Sequence, residues 1–285
     1  MSQKLLICTD LDRTLIPNGP EPESPDARDY FQQLCDYEDV ELAYVSGRDR
    51  SLVIDAINDY DLPQPDYVIA DVGSTLYQVH GLNRWEKWAE WEEEIGSDWN
   101  GYSHQALSQQ LSDWPGLSLQ EPEKQQPFKL SFYVELEADH RPLLEGIGKR
   151  LINLGVRANL IWSIDDLAGV GLLDLLPERA GKYQAIEFLR QHLGYEIADT
   201  LFSGDSGNDL DVLTSHLPSV LVANARPEVL SEAQRMVDEN GLSNAFYPAK
   251  GGFMGMNGNY SAGILEGLAH YHPEYASRLM NQNSR

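Results

Sequence analysis

Apolar and polar positions follow two different periods along the chain. The short apolar runs "KLLICTD", "VELAYVSGR" and "PDYVIADVGS" each end in carboxylate, hydroxyl or glycine residues, and "TLFSGDSGND" and "PSVLVANA" repeat the form much later. Unbroken runs of this length predict strands buried on both faces, as in a parallel sheet. Between them lie segments of helical period: "SPDARDYFQQLCDY", opened by Ser24 as a cap and Pro25 at the first helical position, then "RSLVIDAINDYD" and "GKYQAIEFLRQHLG". Strand and helix in alternation predict an α/β fold built on a doubly wound parallel sheet.

The texture changes between about residues 78 and 175. Five of the six tryptophans fall at positions 85 to 114, and Trp85, Trp88 and Trp91 recur at the spacing of one buried helical stripe. A loop-rich span, "EPEKQQPF", leads to the period-two strand "KLSFYVELE" and then to a helix, "RPLLEGIGKRLINLG". This predicts an inserted α+β cap domain at 78–175, seated on the strand ends of a core domain made of 1–77 and 176–285. The core sheet is expected to resume at "LLDLLPERAGK".

Composition narrows the partners. Lys plus Arg number 21 against 45 Asp plus Glu, a net charge of −24, which opposes nucleic acid and anionic membrane and raises a high-salt habitat as one origin of the acidity. Nowhere do about 18 apolar residues run together, and the apolar stretch near Met1 is too short for a signal peptide. Cys8 and Cys35 have no metal-ligand spacing and read as reduced thiols of a cytoplasmic protein. His80, His104, His270 and His272 show no ligand spacing either.

Ligands of open α/β sheets bind beyond the C-terminal ends of the strands, where Asp10, Asp12, Ser46, Gly47, Asp205 and Asp209 fall on this reading. Carboxylates crowded at one edge need a cation, and an all-oxygen set suits Mg²⁺. A D-x-D pair alone is common as a solvated turn. "GDSGND", however, adds Asp205, Asn208 and Asp209 at a spacing that puts them on one helical face. "SGR" supplies the Ser46 hydroxyl and backbone N–H groups at Gly47 and Arg48 for a phosphoryl oxygen, and Lys182 after "PERAG" supplies a fixed positive charge.

In this order, D-x-D-x-T, S-G-R, a helix-start Lys and G-D-x-x-N-D resemble the haloacid dehalogenase superfamily of aspartate-nucleophile phosphatases, with the cap placed as in its C2B class. The resemblance implies that Asp10 attacks phosphorus and that Asp12 protonates the leaving alcohol and then activates water. It implies Mg²⁺ held by Asp10, the main-chain carbonyl of Asp12 and Asp205, with Asn208 and Asp209 in or just behind that shell. Ser46 and Lys182 would bind the phosphoryl oxygens. Thr14 and Asn224 read equally as loop hydrogen bonds or as support for the site. Arg13 reads as a solvated side chain before a substrate contact.

In the cap strand, alternation puts Lys129, Ser131 and Tyr133 on one face, a candidate surface for a polyol, and Leu130, Phe132 and Val134 on the other. "KLSFYV", "DLLPERAGK", "SGDSGND" and "YSAGILEGLAHY" together resemble the sucrose-phosphate phosphatase family, and "LPQPDYVIADVGSTLY" is similar to mannosylfructose-phosphate phosphatases. That implies a Mg²⁺-dependent phosphatase of a disaccharide phosphate, sucrose 6-phosphate first, with the glycosyltransferase that makes the phosphorylated sugar as candidate partner. The stretch "IDDLAGVGLL", 164–173, departs from the shorter connection typical of that family and is expected as a loop that bears on specificity. A sugar phosphomutase on the same fold, or a non-catalytic partner of a glycosyltransferase, are the alternatives.

Overall fold

A computed structural model describes residues 4–136, 140–165 and 169–282. In chain order its strands are β1 (Leu5–Thr9), β2 (Val40–Val45), β3 (Tyr67–Ala70), β4 (Thr75–Val79), β5 (Trp85–Lys87), β6 (Leu117–Leu119), β7 (Leu130–Val134), β8 (Ala158–Asp165), β9 (Val170–Pro177), β10 (Thr200–Gly204), β11 (Ser219–Leu221) and β12 (Phe246–Pro248). The helices are α1 (Ala27–Cys35), α2 (Arg50–Asp59), α3 (Ala89–Gly96), α4 (His104–Leu111), α5 (His140–Asn153), α6 (Lys182–Leu193), α7 (Leu210–Leu213), α8 (Pro227–Asn240), α9 (Ser261–Tyr271) and α10 (Pro273–Gln282).

Eight strands form one sheet in the order β12-β11-β10-β1-β2-β3-β4-β5, parallel from β12 to β3 and antiparallel at β4 and β5. Strand β1 shows why the sheet is covered twice. Leu5 and Ile7 pack with α1, α2, α9 and α10, while Leu6 and Cys8 pack with α6, α7 and α8 on the other face. Every residue of β1 is buried, and Leu5, Leu6 and Ile7 each contribute roughly 1.5–3 kcal/mol of transfer free energy. This is the doubly wound architecture that the apolar runs predict.

The second sheet has the order β6-β7-β9-β8 and is wholly antiparallel. Leu130, Phe132 and Val134 of β7 and Leu173 and Leu175 of β9 pack on Trp99, on Leu107 and Leu111 of α4, and on Ile147 and Leu151 of α5. The opposite face places Ser131 beside Asp174.

Four local expectations change. Ser24 is not the cap of α1, which begins at Ala27 after Asp26; the Ser24 hydroxyl instead accepts a hydrogen bond from Asn257 N at 2.9 Å. The three tryptophans do not share a helix. Trp85 lies in β5, Trp88 precedes α3, and Trp91 is the buried one within it. A three-residue spacing also fits a short edge strand running into a helix, and here pairing with β4 decides the matter. "LLDLLP" does not return to the large sheet but forms the last six residues of β9, held between β7 and β8. The stretch 164–173 is largely the end of β8 and the start of β9, and Asp166–Ala168 lie outside the described residues. The large sheet itself continues to Lys87.

Two seams hold the small unit: one ties the end of α3 to the flanks of β8 and β9, and the other lies against the large sheet. Asp98, fully buried, accepts from Arg179 N at 2.8 Å and from Arg179 Nε at 3.1 Å and pairs with Arg157. The other seam is the loop 71–73, where Gly73 has φ +93° and a Cβ there would meet the Gly181 carbonyl carbon and oxygen at 2.4 Å. Gly73→Ala is therefore expected to cost several times more stability in denaturant unfolding than Gly194→Ala. The latter has φ +76° but open space around it and should cost only about 1 kcal/mol.

Candidate active site

The order of the large sheet brings three chemistry-bearing loops together. β1 lies between β10 and β2, and Asp10 N donates to Ser203 O at 2.9 Å, so the residues that follow β1 and β10 leave the sheet side by side. From the opposite side, α6 begins at Lys182 and inserts its side chain into that junction. Lys182 is 1% exposed, and its Nζ donates to Asp10 Oδ1 at 2.8 Å, to Asp209 Oδ1 at 2.6 Å and to Asn208 Oδ1 at 3.2 Å.

Asp209 folds the loop after β10 around its other oxygen. Its Oδ2 accepts from the backbone N–H groups of Asp205 and Ser206, each at 3.1 Å, and from Ser206 Oγ at 3.3 Å. Both oxygens of Asp209 are thus engaged. Asp10 and Asp205 turn toward each other across Thr14, whose hydroxyl lies 3.3 Å from Asp10 Oδ2 and 3.4 Å from Asp205 Oδ1. One carboxylate oxygen from each of Asp10, Asp205 and Asp209 falls within 4.8 Å of the others.

Asp12 points elsewhere. Arg48 grips it with two hydrogen bonds of 2.7 Å, Nε to Oδ2 and Nη2 to Oδ1, and Asn18 Nδ2 adds a third at 2.7 Å. Such bidentate charge-assisted pairs are the strong kind. Ser46 is buried where β2 ends, and its Oγ accepts from Arg48 N at 3.2 Å, while Gly47 is exposed.

Electrostatics differ across these groups. Burial, reinforced by Asp209 and Asp205 and opposed by Lys182, pushes the Asp10 carboxyl up to about 7. Burial and Asp209 push Asp205 up to about 6, against Arg13 and Lys182. Burial would also raise Asp12, but its hydrogen bonds and charge pairing with Arg48 outweigh it and hold the group below the ordinary carboxylate range. Burial would lower Lys182, yet Asp10 and Asp209 overcome it and keep the ammonium firmly protonated.

Of the sequence-derived set, Asp10, Asp205, Asp209 and Lys182 converge within hydrogen-bonding or carboxylate-contact distance. Asn208 joins through the lysine and through Ser206 Oγ at 2.9 Å, and Arg48 joins through Asp12. The small-sheet residues stand apart. Ser131 is 1% exposed and donates to Asp174 Oδ1 at 2.5 Å, Lys129 lies between Asp71 and Asp174, and the Tyr133 hydroxyl donates to Glu121 at 2.8 Å. The expected polar face exists, with Lys129 and Ser131 buried and Tyr133 half-buried at its more exposed end.

Sequence reasoning undervalued Arg13. With φ 58° it turns back so that its Nε lies 3.4 Å from Asp205 Oδ2 and its Nη2 donates to Glu21 Oε1 at 3.2 Å and to Asn224 O at 3.1 Å. Asn224 answers by donating to Arg13 O at 2.6 Å and accepting from Tyr260 N at 2.8 Å. The signal was weak but present: a cation inside a carboxylate motif is a natural counter-charge. Asn18 and Asp71 gave no comparable sign.

The parallel α/β core, the inserted antiparallel sheet and the carboxylate–lysine junction define a phosphatase of the haloacid dehalogenase superfamily. Within it the chain belongs to the Sucrose-6F-phosphate phosphohydrolase family, whose profile matches residues 3–272. A protein of Nitrosococcus oceani that carries the provisional name HAD-like hydrolase is 50% identical over 96% of this chain and 73% of its own length. The mannosylfructose-phosphate phosphatase of Agrobacterium fabrum is 28% identical over 93% of this chain and 96% of its own. Among solved structures, the sucrose-phosphatase of Synechocystis sp. PCC6803 in complex with sucrose and phosphate superposes with a TM-score of 0.70 at 27% identity, covering 94% of this chain and 98% of that one. Plant relatives are longer, and the chain spans 60% of one from Arabidopsis thaliana. The protein is a phosphoric monoester hydrolase.

The raised Asp10 carboxyl fixes a pH signature for chelator-treated protein. Its folded pKa lies above the unfolded one, so its contribution to stability is present below about pH 4 and is lost as pH rises through about 7. Asp10→Asn removes that loss. Denaturant unfolding should therefore show the variant gaining stability over wild type between pH 5 and pH 8, and a difference independent of pH would contradict the burial of an ionising Asp10.

Proposed function

We propose that the protein hydrolyses a disaccharide phosphate, sucrose 6-phosphate first, to the free sugar and phosphate by way of a phosphorylated Asp10. The observation that carries this is the buried Lys182 bridging Asp10 and Asp209 beside Asp205, with Asp12 two residues from Asp10 on the same loop. A buried carboxylate held against an ammonium at a strand end is poised as a nucleophile rather than as a solvated charge.

The donor set fits Mg²⁺: all oxygen, buried, and with more negative charge than Lys182 and Arg13 offset. Asp10 and Asp205 would hold the ion, together with the Asp12 main-chain carbonyl, and Asp209, whose oxygens accept from Lys182 and from two backbone N–H groups, would stand behind them with Asn208. When bound, Mg²⁺ offsets the crowded charge and polarises a phosphoryl oxygen.

The protein's own groups do the rest. An Asp10 oxygen attacks phosphorus in line with the departing sugar oxygen, and that oxygen takes a proton from Asp12 as it leaves. Asp12 then accepts a proton from water, which attacks phosphorus, frees phosphate and restores Asp10. Lys182 steadies Asp10 and the developing charge, and the Ser46 hydroxyl and nearby backbone N–H groups receive phosphoryl oxygens. Ionised in its pair with Arg48, Asp12 is set to accept the proton of the attacking water; for the first step it turns from that pair and takes up a proton from solvent, which it then gives to the leaving sugar oxygen. The four-stranded unit, drawn from the region between the large sheet's Lys87 and α6, acts as the cap that covers the leaving sugar. The free Cys8 and Cys35 thiols suit the reducing cytoplasm, where a glycosyltransferase would supply the phosphorylated sugar.

Phosphate release from sucrose 6-phosphate, mannosylfructose phosphate and monosaccharide phosphates, with Mg²⁺ and then with chelator, tests this. Mg²⁺-dependent release, fastest from sucrose 6-phosphate, is expected. Isomerised sugar phosphate without free phosphate would indicate a mutase. Asp10→Asn should abolish turnover, and Asp12→Asn should slow it by roughly 10²–10⁴. Wild-type rates in Asp10→Asn would remove the nucleophile.

A further inference from the structure

The loop 71–73 carries a charged group that this chemistry leaves unused. Asp71, Val72 and Gly73 have φ of 52°, 60° and 93°, and for β-branched Val72 that region is a true outlier. Such strain persists only where the surroundings over-determine it, and it gathers at ligand clamps. Here the surroundings are explicit. Asp71 N donates to Arg48 O at 3.0 Å, Val72 N donates to Ser46 O at 3.2 Å, Gly73 lies against Gly181, and Trp91 Nε1 donates to Gly73 O at 3.0 Å. One strained turn therefore touches the Ser46–Arg48 loop, the approach to Lys182 and the small unit.

The arrangement leaves the Asp71 carboxylate between the two sheets. The residue is 1% exposed, and its Oδ2 has no hydrogen-bond partner among the described residues. Lys129 Nζ lies 3.8 Å from Asp71 Oδ1 and 4.0 Å from Asp174 Oδ2, near enough for charge attraction but beyond hydrogen-bond length. Burial lifts the Asp71 carboxyl above its ordinary range, against Lys129 and the Thr75 hydroxyl. A buried acceptor without a donor is costly, and groups so placed call for a specific explanation. Here an acceptor and an ammonium face the same seam, beside the loop that would receive the phosphoryl group. A hydroxyl fits both, because it donates to a carboxylate and accepts from an ammonium.

We infer that Asp71 is a specificity-determining residue, its Oδ2 accepting a hydroxyl of the leaving sugar while Lys129 donates to that sugar from the small sheet. This rests on the proposed sugar-phosphate hydrolysis and adds the residue that reads the sugar. A leaving group without hydroxyls gains nothing from Asp71.

The test compares wild type, Asp71→Asn and Asp174→Asn on sucrose 6-phosphate and on p-nitrophenyl phosphate, with Mg²⁺, together with a melting temperature for each. In Asp71→Asn the KM for sucrose 6-phosphate should rise tenfold or more, and the ratio of kcat/KM between the sugar and aryl esters should fall as far. Asp174→Asn should lower the ratio less. A ratio unchanged within twofold in Asp71→Asn overturns the proposal. So does an equal loss on both esters, which marks a role only in shaping the Ser46 and Lys182 loops. Should Asp71→Asn fail to fold, Lys129→Met takes its place, and an unchanged ratio there is equally fatal. Failure of the underlying reading looks different: wild type would cleave the aryl ester and release nothing from any sugar phosphate, overturning both together.

Discussion

The ammonium of Lys182 is what lets three carboxylates be buried at one strand edge. Without it Asp10 and Asp209 would face each other across a low-dielectric site with only Arg13 nearby, and unpaired buried charge is among the costliest arrangements a fold can hold. Its three acceptors come from the loop after β1 and the loop after β10, while the lysine itself opens α6. The group thus joins segments about 170 residues apart in sequence. Asp209 accepts from the lysine through one oxygen and from backbone N–H groups through the other, which fixes the loop after β10 beside Asp10.

A second network keeps that geometry in place from outside. Arg13 lies against Asp205 and Glu21, Asn224 ties the Arg13 backbone to Tyr260, and the Tyr260 hydroxyl returns to Glu21 Oε2 at 3.2 Å. Residues from near the start of the chain and from its last third are closed into a ring around the loop that carries Asp10. Hydrogen bonds shared in this way restrict the motion of each member, which suits a site whose groups must be placed to within a fraction of an ångström.

What the sequence reveals, and what it hides, follows from the range of the forces involved. Strands buried on both faces must be apolar throughout, so β1, β2, β3 and β10 are legible as runs. Motif spacing is legible because Asp205, Asn208 and Asp209 act within one turn. Trp85, Trp88 and Trp91 mislead, because period three suits both an edge strand and a helix and only pairing with β4 separates them. "LLDLLP" misleads because an apolar strand does not announce which sheet it joins. The roles of Arg13 and Asp71 are the least legible, since both depend on backbone at positive φ that no side-chain pattern encodes for an arginine or a valine-flanked aspartate.

The pairing of β1 with β10 carries a consequence for how such a chain is made and altered. Leu6 sits beside Thr200, and nearly half of the residues between them belong to the small unit. Loop-closure entropy grows only with the logarithm of length, about 0.6 kcal/mol per doubling, so enlarging, shrinking or exchanging that unit barely changes the equilibrium stability of the large sheet. The burden falls instead on time. The central strand pair forms only after a distant segment has been synthesised and has found its place, a search that slows folding as sequence separation grows. A catalytic sheet assembled this way tolerates wide variation in what sits above it while demanding patience, or assistance, during its own assembly.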